Sequence, residues 1–263
     1  QSNDATPVTS PAAASSGSAL PAVQVQGSAE AQRRFDAAAS HTSVAVDGFT
    51  APTPLVNLSE LLAGQAGVVA LDRGNYAQDL QIAVRGFGAR STFGVRGVRI
   101  LVDGIPATMP DGQGQAATAH LQSAAQVDVL RGPLAQLYGN AAGGVLQVTT
   151  REPREGTGGL SGAQVGVAAG SSGQRLLDAS FDFGDRTLGG LIDVSQFETD
   201  GWRDHSAARR VHLNGKLVAR PSADTKITAL VNLYDQPKAQ DPLGLTRAQF
   251  DANPRQAASV ADT

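Results

Sequence analysis

Beyond about residue 153, apolar and polar positions alternate one by one. Ala163, Val165, Val167 and Ala169 stand opposite Gln164 and Gly166, and Leu177, Ala179, Phe181 and Phe183 stand opposite Asp178, Ser180 and Asp182. The pattern continues with Ile192 and Val194 against Asp193 and Ser195, then Val211, Leu213, Leu217 and Ala219 against His212, Asn214 and Lys216. It ends with Ile227, Ala229, Val231 and Leu233 against Thr228, Asn232 and Tyr234. Successive side chains of a strand point to opposite faces, so a period of two over five such segments predicts an antiparallel meander with one wet, polar face. The connections alternate as well: 184–187 and 221–225 are short, whereas 199–209 and the stretch after Asp235 are long. Short turns at one end and long loops at the other fit an outer-membrane barrel. A soluble β-sandwich shares the alternation, but it would have to find partners for Asp and Lys in its core.

The preceding 44–150 region has a different texture. Leu58, Leu61 and Leu62 lie at i, i+3 and i+4, one stripe of a helix of about two turns that Gly64 and Gly67 then stop. Residues 80–84, 98–102, 127–130 and 145–149 read as strands, and Asp103-Gly104 is a strong turn signal. Together they predict a mixed α/β globule of about 100 residues. Residues 1–27 are rich in Ala, Ser and Pro, a composition that cannot offset the entropy of ordering, and read as a flexible arm. Inside the arm lies the short patch Leu20, Pro21, Ala22, Val23, Gln24 and Val25. Pro21 blocks helix there while Val23 and Val25 favour a strand able to add to another protein's sheet edge.

Composition narrows the function classes. A net charge of −3 over 263 residues provides no basic field for nucleic acid. With no cysteine, disulfides, thiolate zinc sites and thiol nucleophiles are all excluded. No run reaches the roughly 20 apolar residues of a spanning helix, and the N-terminus lacks the charged and apolar regions of a signal peptide. The chain is therefore expected to be either soluble or a mature β-type membrane protein. Thirty glycines suit turns and short strands. Asp103, Asp111 and His120 lie near one another in sequence, but Asp103 belongs to a turn signature and a lone His is weak support for chemistry. Gly86-x-Gly88 lacks the third glycine of a dinucleotide cradle. No catalytic residue, metal ligand or cofactor is assigned.

Three ordered clusters carry a family resemblance. Residues 82–88 read Ile-Ala-Val-Arg-Gly-Phe-Gly, 102–106 Val-Asp-Gly-Ile-Pro, and 129–133 Val-Leu-Arg-Gly-Pro, the last followed by Leu137-Tyr138-Gly139 and Gly143-Gly144-Val145. In order and spacing this set resembles the plug of TonB-dependent outer-membrane receptors, and the alternating segments resemble the barrel strands that follow the plug. The resemblance implies a flexible arm over 1–43, a plug domain over 44–153 and the first strands of a transmembrane β-barrel over 154–263. The implied fold is an α+β plug followed by antiparallel barrel strands. Family barrels have about 22 strands, and an open sheet edge is unsatisfied in lipid, so the barrel is expected to be incomplete here and the chain a fragment.

The resemblance also implies roles. Leu20 to Val25 would be the TonB box, captured by TonB of the inner-membrane energising complex, with the arm in the periplasm. With about 20 residues before it, transport without the signalling domain of transducer-type receptors is expected. Arg131, opening Arg-Gly-Pro, and Arg85 at the matching position of the first cluster would contact barrel carboxylates. The glycines of the clusters would set backbone geometry. Outward-facing loops would present Arg90, Phe93 and Arg96, then Met109, Asp111, Gln113 and Gln115, to a ligand. Guanidinium groups suit carboxylate or catecholate oxygens and Phe and Met suit flat rings. The implied function is energised uptake, across the bacterial outer membrane, of a small anionic ligand such as a ferric siderophore, or another ring-containing anion such as a quinone carboxylate. The alternative is a soluble periplasmic or surface β-rich binding module.

Overall fold

In a computed structural model of the protein, the described residues are 40–46, 53–91, 94–109, 111–139, 141–156 and 158–261. The segment from Leu20 to Val25 and the side chain of Phe93 lie outside them.

The first part is built on a five-stranded sheet of order β1-β6-β7-β4-β5. Its strands are β1 (Ser40–Ala45), β4 (Val98–Val102), β5 (Ile105–Pro106), β6 (Ala124–Arg131) and β7 (Gly144–Thr150). β4 and β7 run parallel and the other pairs antiparallel. β2 (Val68–Leu71) and β3 (Gln81–Val84) form a separate antiparallel pair. The helix α1 (Leu58–Leu62) is shorter than the leucine stripe predicts. The Glu60 carboxylate ties its start by accepting from the backbone N–H of Leu55, Val56 and Asn57 at 2.8–2.9 Å. Gly64, at φ +81°, follows its end. Leu58 and Leu62 point into a core with Ile82, Val84, Ile100, Val127, Val129, Leu146 and Val148. Asp103 (φ 47°) and Gly104 (φ 82°) are both left-handed and make the two-residue hairpin turn between β4 and β5. Gly143 answers a different demand: a Cβ there would lie 2.6 Å from Cβ of Phe87. These glycines set backbone approach and curvature.

The second part is a meander of β8 (Leu160–Ala169), β9 (Arg175–Gly184), β10 (Leu188–Thr199), β11 (Ala208–Ser222) and β12 (Thr225–Ala239), each antiparallel to the next. Strands of 10–15 residues exceed or match the roughly 9–11 that a tilted strand needs to cross a bilayer. The sheet is not closed; β8 and β12 are its edges. A short helix α2 (Arg247–Ala252) follows, capped by Thr246, whose side chain accepts from Gln249 N–H. No helix among the described residues is long and apolar enough to cross a membrane.

The expectation of a wet polar face is corrected here. Asp178, Ser180, Asp182, Asp193, Ser195, Asn214 and Lys216 are only 1–4 % exposed, because the polar face packs on the first part of the chain. The apolar residues Val165, Val167, Leu177, Ile192, Val231 and Leu233 are 42–80 % exposed on the other face. This inverts the rule for a water-soluble core and is the arrangement of a barrel wall around a filled lumen.

Ile100→Ala, emptying a fully buried site in β4, is expected to destabilise the folded protein by ~2–5 kcal/mol. Val231→Ala, on the exposed apolar face, is expected to cost less than ~1 kcal/mol, since no cavity forms. Denaturant titration in detergent micelles checks both.

Candidate functional site

The seam between the two parts carries polar groups along much of its length. The inward-facing positions of β11 are reached in steps of two. Arg210 donates to Asn57 Oδ1 and to the Tyr76 carbonyl, both at 3.0 Å, and lies 5.0 Å above the Tyr76 ring. His212 donates from Nε2 to the Ala117 carbonyl at 3.0 Å. Lys216 donates to the Thr150 carbonyl at 3.0 Å and sits 3.5 Å from Asp103. That Asp103 carboxylate in turn accepts from the backbone N–H and hydroxyl of Thr150 at 2.9 and 2.5 Å. The turn-forming residue therefore also anchors the end of β7 to the wall.

Just past β7, Arg151 reaches into the wall. It donates to Asp182 at 2.8 and 2.9 Å, to Asp193 at 2.6 Å, and to the Ser180 hydroxyl. The two carboxylates are 1 % and 3 % exposed, so this guanidinium is their main charge partner, with Arg154 3.8 Å from Asp182. Burial alone lowers the pKa of Arg151, but the hydrogen bonds and charges of Asp193 and Asp182 outweigh it and hold the guanidinium protonated beyond its ordinary range. Nearby, Glu152 is met by Lys226 at 3.1 Å, Arg220 at 3.4 Å and Lys216 at 3.8 Å.

Midway along the seam the His120 ring stacks on His212, centroids 5.2 Å apart and planes 4° from parallel. His120 Nε2 is 2.9 Å from the Ser195 hydroxyl. Burial, with His212 adding to it, pushes the His120 pKa down to about 3, so the ring is neutral at ordinary pH.

At one end of the seam, residues 72–79 meet the connections that follow β10 and β12. Asn75 and Gln78 donate to the Asp241 carboxylate at 2.8 and 2.7 Å. These bonds help hold the Asp241 pKa below the ordinary carboxylate value despite burial, which acts the other way. Arg203 ties these connections together by donating to the carbonyls of Pro242, Leu243 and Gln256. A cleft of about 470 Å³ opens here, lined by Arg73, Asn75, Gln78, Trp202, Arg203 and Asp241.

The predicted loop residues fall beside this rim. Gln81 receives Arg73 and donates to the Ala89 carbonyl, placing 88–91 next to 72–80. Arg90 and Met109 are exposed. Arg96 is paired with Asp111 at 3.1 Å and donates to Gln113 at 3.2 Å, so the two predicted loops are joined to each other. Gln115 turns into the seam. Arg131 is 4 % exposed and donates to Thr42 and Ser40 of β1 at 2.8 and 3.3 Å, leaving Nε and one terminal nitrogen without partners. Burial, then the charge of Arg85, presses its pKa below the ordinary arginine value. Arg85 is exposed, at the left-handed position φ 51°.

Motif reading passed over Arg151, Arg210 and Lys216, because none sits in a recognisable cluster. A signal existed nonetheless: Asp178, Asp182 and Asp193 recur on one face of predicted strands and require cationic partners if that face is covered.

This geometry defines a class, a plug docked against the polar inner face of a β-wall. Residues 33–145 match the family model of the TonB-dependent receptor plug domain. Among solved structures, the ferric citrate transporter FecA, in its unliganded form, is 26 % identical with a TM-score of 0.70, covering 86 % of this chain and 35 % of its own. The copper transporter OprC (20 % identity, TM-score 0.57, 70 % and 29 % covered) shares the fold. So does the ferric yersiniabactin uptake receptor FyuA from Yersinia pestis (22 %, 0.54, 70 % and 29 %). The chain spans about a third of the length of these receptors.

Two outcomes follow. Arg151→Ala strands two buried carboxylates and is expected to cost ~3–5 kcal/mol, with Arg151→Lys recovering only part because the planar fork is lost; denaturant unfolding reads both. For His120, the folded pKa of about 3 lies below the ordinary 6.5, so the unfolded chain binds the extra proton between these values. Its contribution to stability is therefore complete above pH 6.5 and lost as pH falls toward 3. His120→Gln is expected to flatten that limb of a stability-versus-pH curve.

Proposed function

We propose that this chain is the plug and adjoining wall of an outer-membrane receptor that takes up a scarce anionic ligand, such as a ferric siderophore, with energy delivered through TonB. The observation that carries this reading is the family's plug docked on a sheet whose buried face is charged and whose exposed face is apolar. That polarity suits a wall in lipid and disfavours the alternative of a soluble binding module, which would expose the apolar face to water. Arg73 and Arg90 on the outer rim supply guanidinium groups for anionic oxygens. Arg96 would do so by exchanging its Asp111 partner for ligand. Met109, Gln113, Gln115 and Phe93 complete the proposed contact set. The names of the similar receptors span ferric citrate, ferric yersiniabactin and copper, so the fold leaves the cargo open.

Arg131 and Arg85 would complete their pairing with carboxylates of the surrounding wall. The unpartnered nitrogens of buried Arg131 support that role, since an unpaired guanidinium is costly to bury. Leu20 to Val25 would add as a strand to TonB. Ligand on the rim would favour arm exposure, and a pull on the arm would pass into β1, which is held to β6 by Arg131 and by His41 on Asp128 at 3.0 Å.

The periplasmic domain of TonB should capture the receptor from outer-membrane extracts, and deletion of residues 20–25 should reduce capture by about tenfold or more, the equivalent of one good hydrogen bond or two. Unchanged capture would contradict the TonB-box assignment.

A further inference from the structure

Four polar residues face inward from β11, and three of them have hydrogen-bond partners on the plug. Arg210, His212 and Lys216 are bonded to the Tyr76, Ala117 and Thr150 carbonyls. Between them Asn214 is 2 % exposed and its amide nitrogen has no partner. A buried donor left unmet is costly, so native structures seldom leave one without reason.

Asn214 also lines a cavity. About 310 Å³ of space separates the plug hairpin from the wall at this point, lined by Ile105, Pro106 and Thr118 on the plug side and Asn214, Leu230 and Tyr234 on the wall side. Such a volume lies at the lower end of small-molecule pockets. Gln115, Thr118 and Tyr234 also line a smaller space of about 170 Å³, which includes Gln78, and Gln78 lines the outer cleft. The three spaces therefore adjoin in sequence, from the outer rim inward along the faces of β11 and β12.

The geometry points to an inner small-molecule site in the seam, in which Asn214 donates to the oxygen of an uncharged, carbonyl-bearing ligand whose flat or branched apolar body lies between Ile105, Pro106, Leu230 and Tyr234. The charges decide the class. Asp103, at the cavity edge, is already bonded to Thr150 and paired with Lys216, and no arginine lines the space. An anionic complex of the sort proposed for the outer rim would find no cation among the lining residues, whereas a neutral acceptor would meet the Asn214 amide. The ligand would wedge the plug against the wall at the position where their direct bonds lapse. The inner site thus differs from the rim in chemistry as well as in place.

The test uses antipyrine, a neutral, water-soluble aryl compound whose strong acceptor is a single carbonyl. Binding is measured by saturation-transfer NMR on the purified receptor in detergent micelles. The wild type should show a saturable interaction. Asn214→Leu should weaken it about tenfold or more, the effect of one buried hydrogen bond, without lowering the melting temperature, because it removes an unsatisfied polar group. Leu230→Trp, filling the space from the wall side, should abolish binding, and Trp202→Ala in the outer cleft should leave it unchanged. Absence of saturable binding to the wild type would overturn the inference. So would equal affinity in folded Asn214→Leu and Leu230→Trp variants, or loss of binding in Trp202→Ala alone. The readout involves neither TonB nor transport, so failure of the uptake reading and failure of this site are separable.

Discussion

Asp182 and Asp193 place two carboxylates on a face of the wall that is dry, and one guanidinium, Arg151, answers both. This is the constraint on which the rest of the structure depends. Two ionised groups taken out of water destabilise a fold unless an opposite charge and hydrogen bonds replace the lost hydration. The plug supplies them at Arg151; along the seam Asp103 answers Lys216 with an opposite charge, and Asn57 and the Tyr76 carbonyl answer Arg210 with hydrogen bonds. The wall's polar face is thus complementary to one partner, and its apolar face is left for another solvent.

A polar seam has consequences for movement. Apolar packing tolerates sliding, since its energy depends little on direction, whereas bonds of 2.6–3.0 Å to fixed partners resist small shifts. The bonds lapse at Asn214 and resume at Lys216, and the rim is joined by side-chain amides to Asp241. Plug displacement accordingly has to break ion pairs near Arg151 as well as amide-to-carboxylate bonds near the rim. Midway along the seam the neutral His120 ring stacks on His212.

Much of this was legible in the chain. Period-two alternation gave the five wall strands, the Asp103-Gly104 pair gave its hairpin, and the Leu58 stripe gave α1, although Gly64 cut that helix shorter than the stripe suggests. What alternation does not carry is which face is dry. The same pattern reads as a water-facing or a plug-facing polar surface until the partner is known, and for that reason the buried state of Asp178 or Asn214 came only with the fold. The pairing of Arg96 with Asp111 and the turn of Gln115 into the seam likewise depend on contacts distant in sequence. The segment from Leu20 to Val25 lies outside the described residues, so its role rests on sequence pattern alone.

The central claim, a wall with its apolar face in lipid and its polar face on the plug, is tested most directly by site-directed spin labels. The chain has no cysteine of its own, so single cysteines at Leu177, Val231, Ser180 and Ser195 can be labelled in the receptor and studied in outer membranes. The account predicts that labels at Leu177 and Val231 collide with oxygen dissolved in lipid and are shielded from a water-soluble nickel chelate, while labels at Ser180 and Ser195 are shielded from both. Strong collision of the nickel chelate with the labels at Leu177 and Val231 would contradict it.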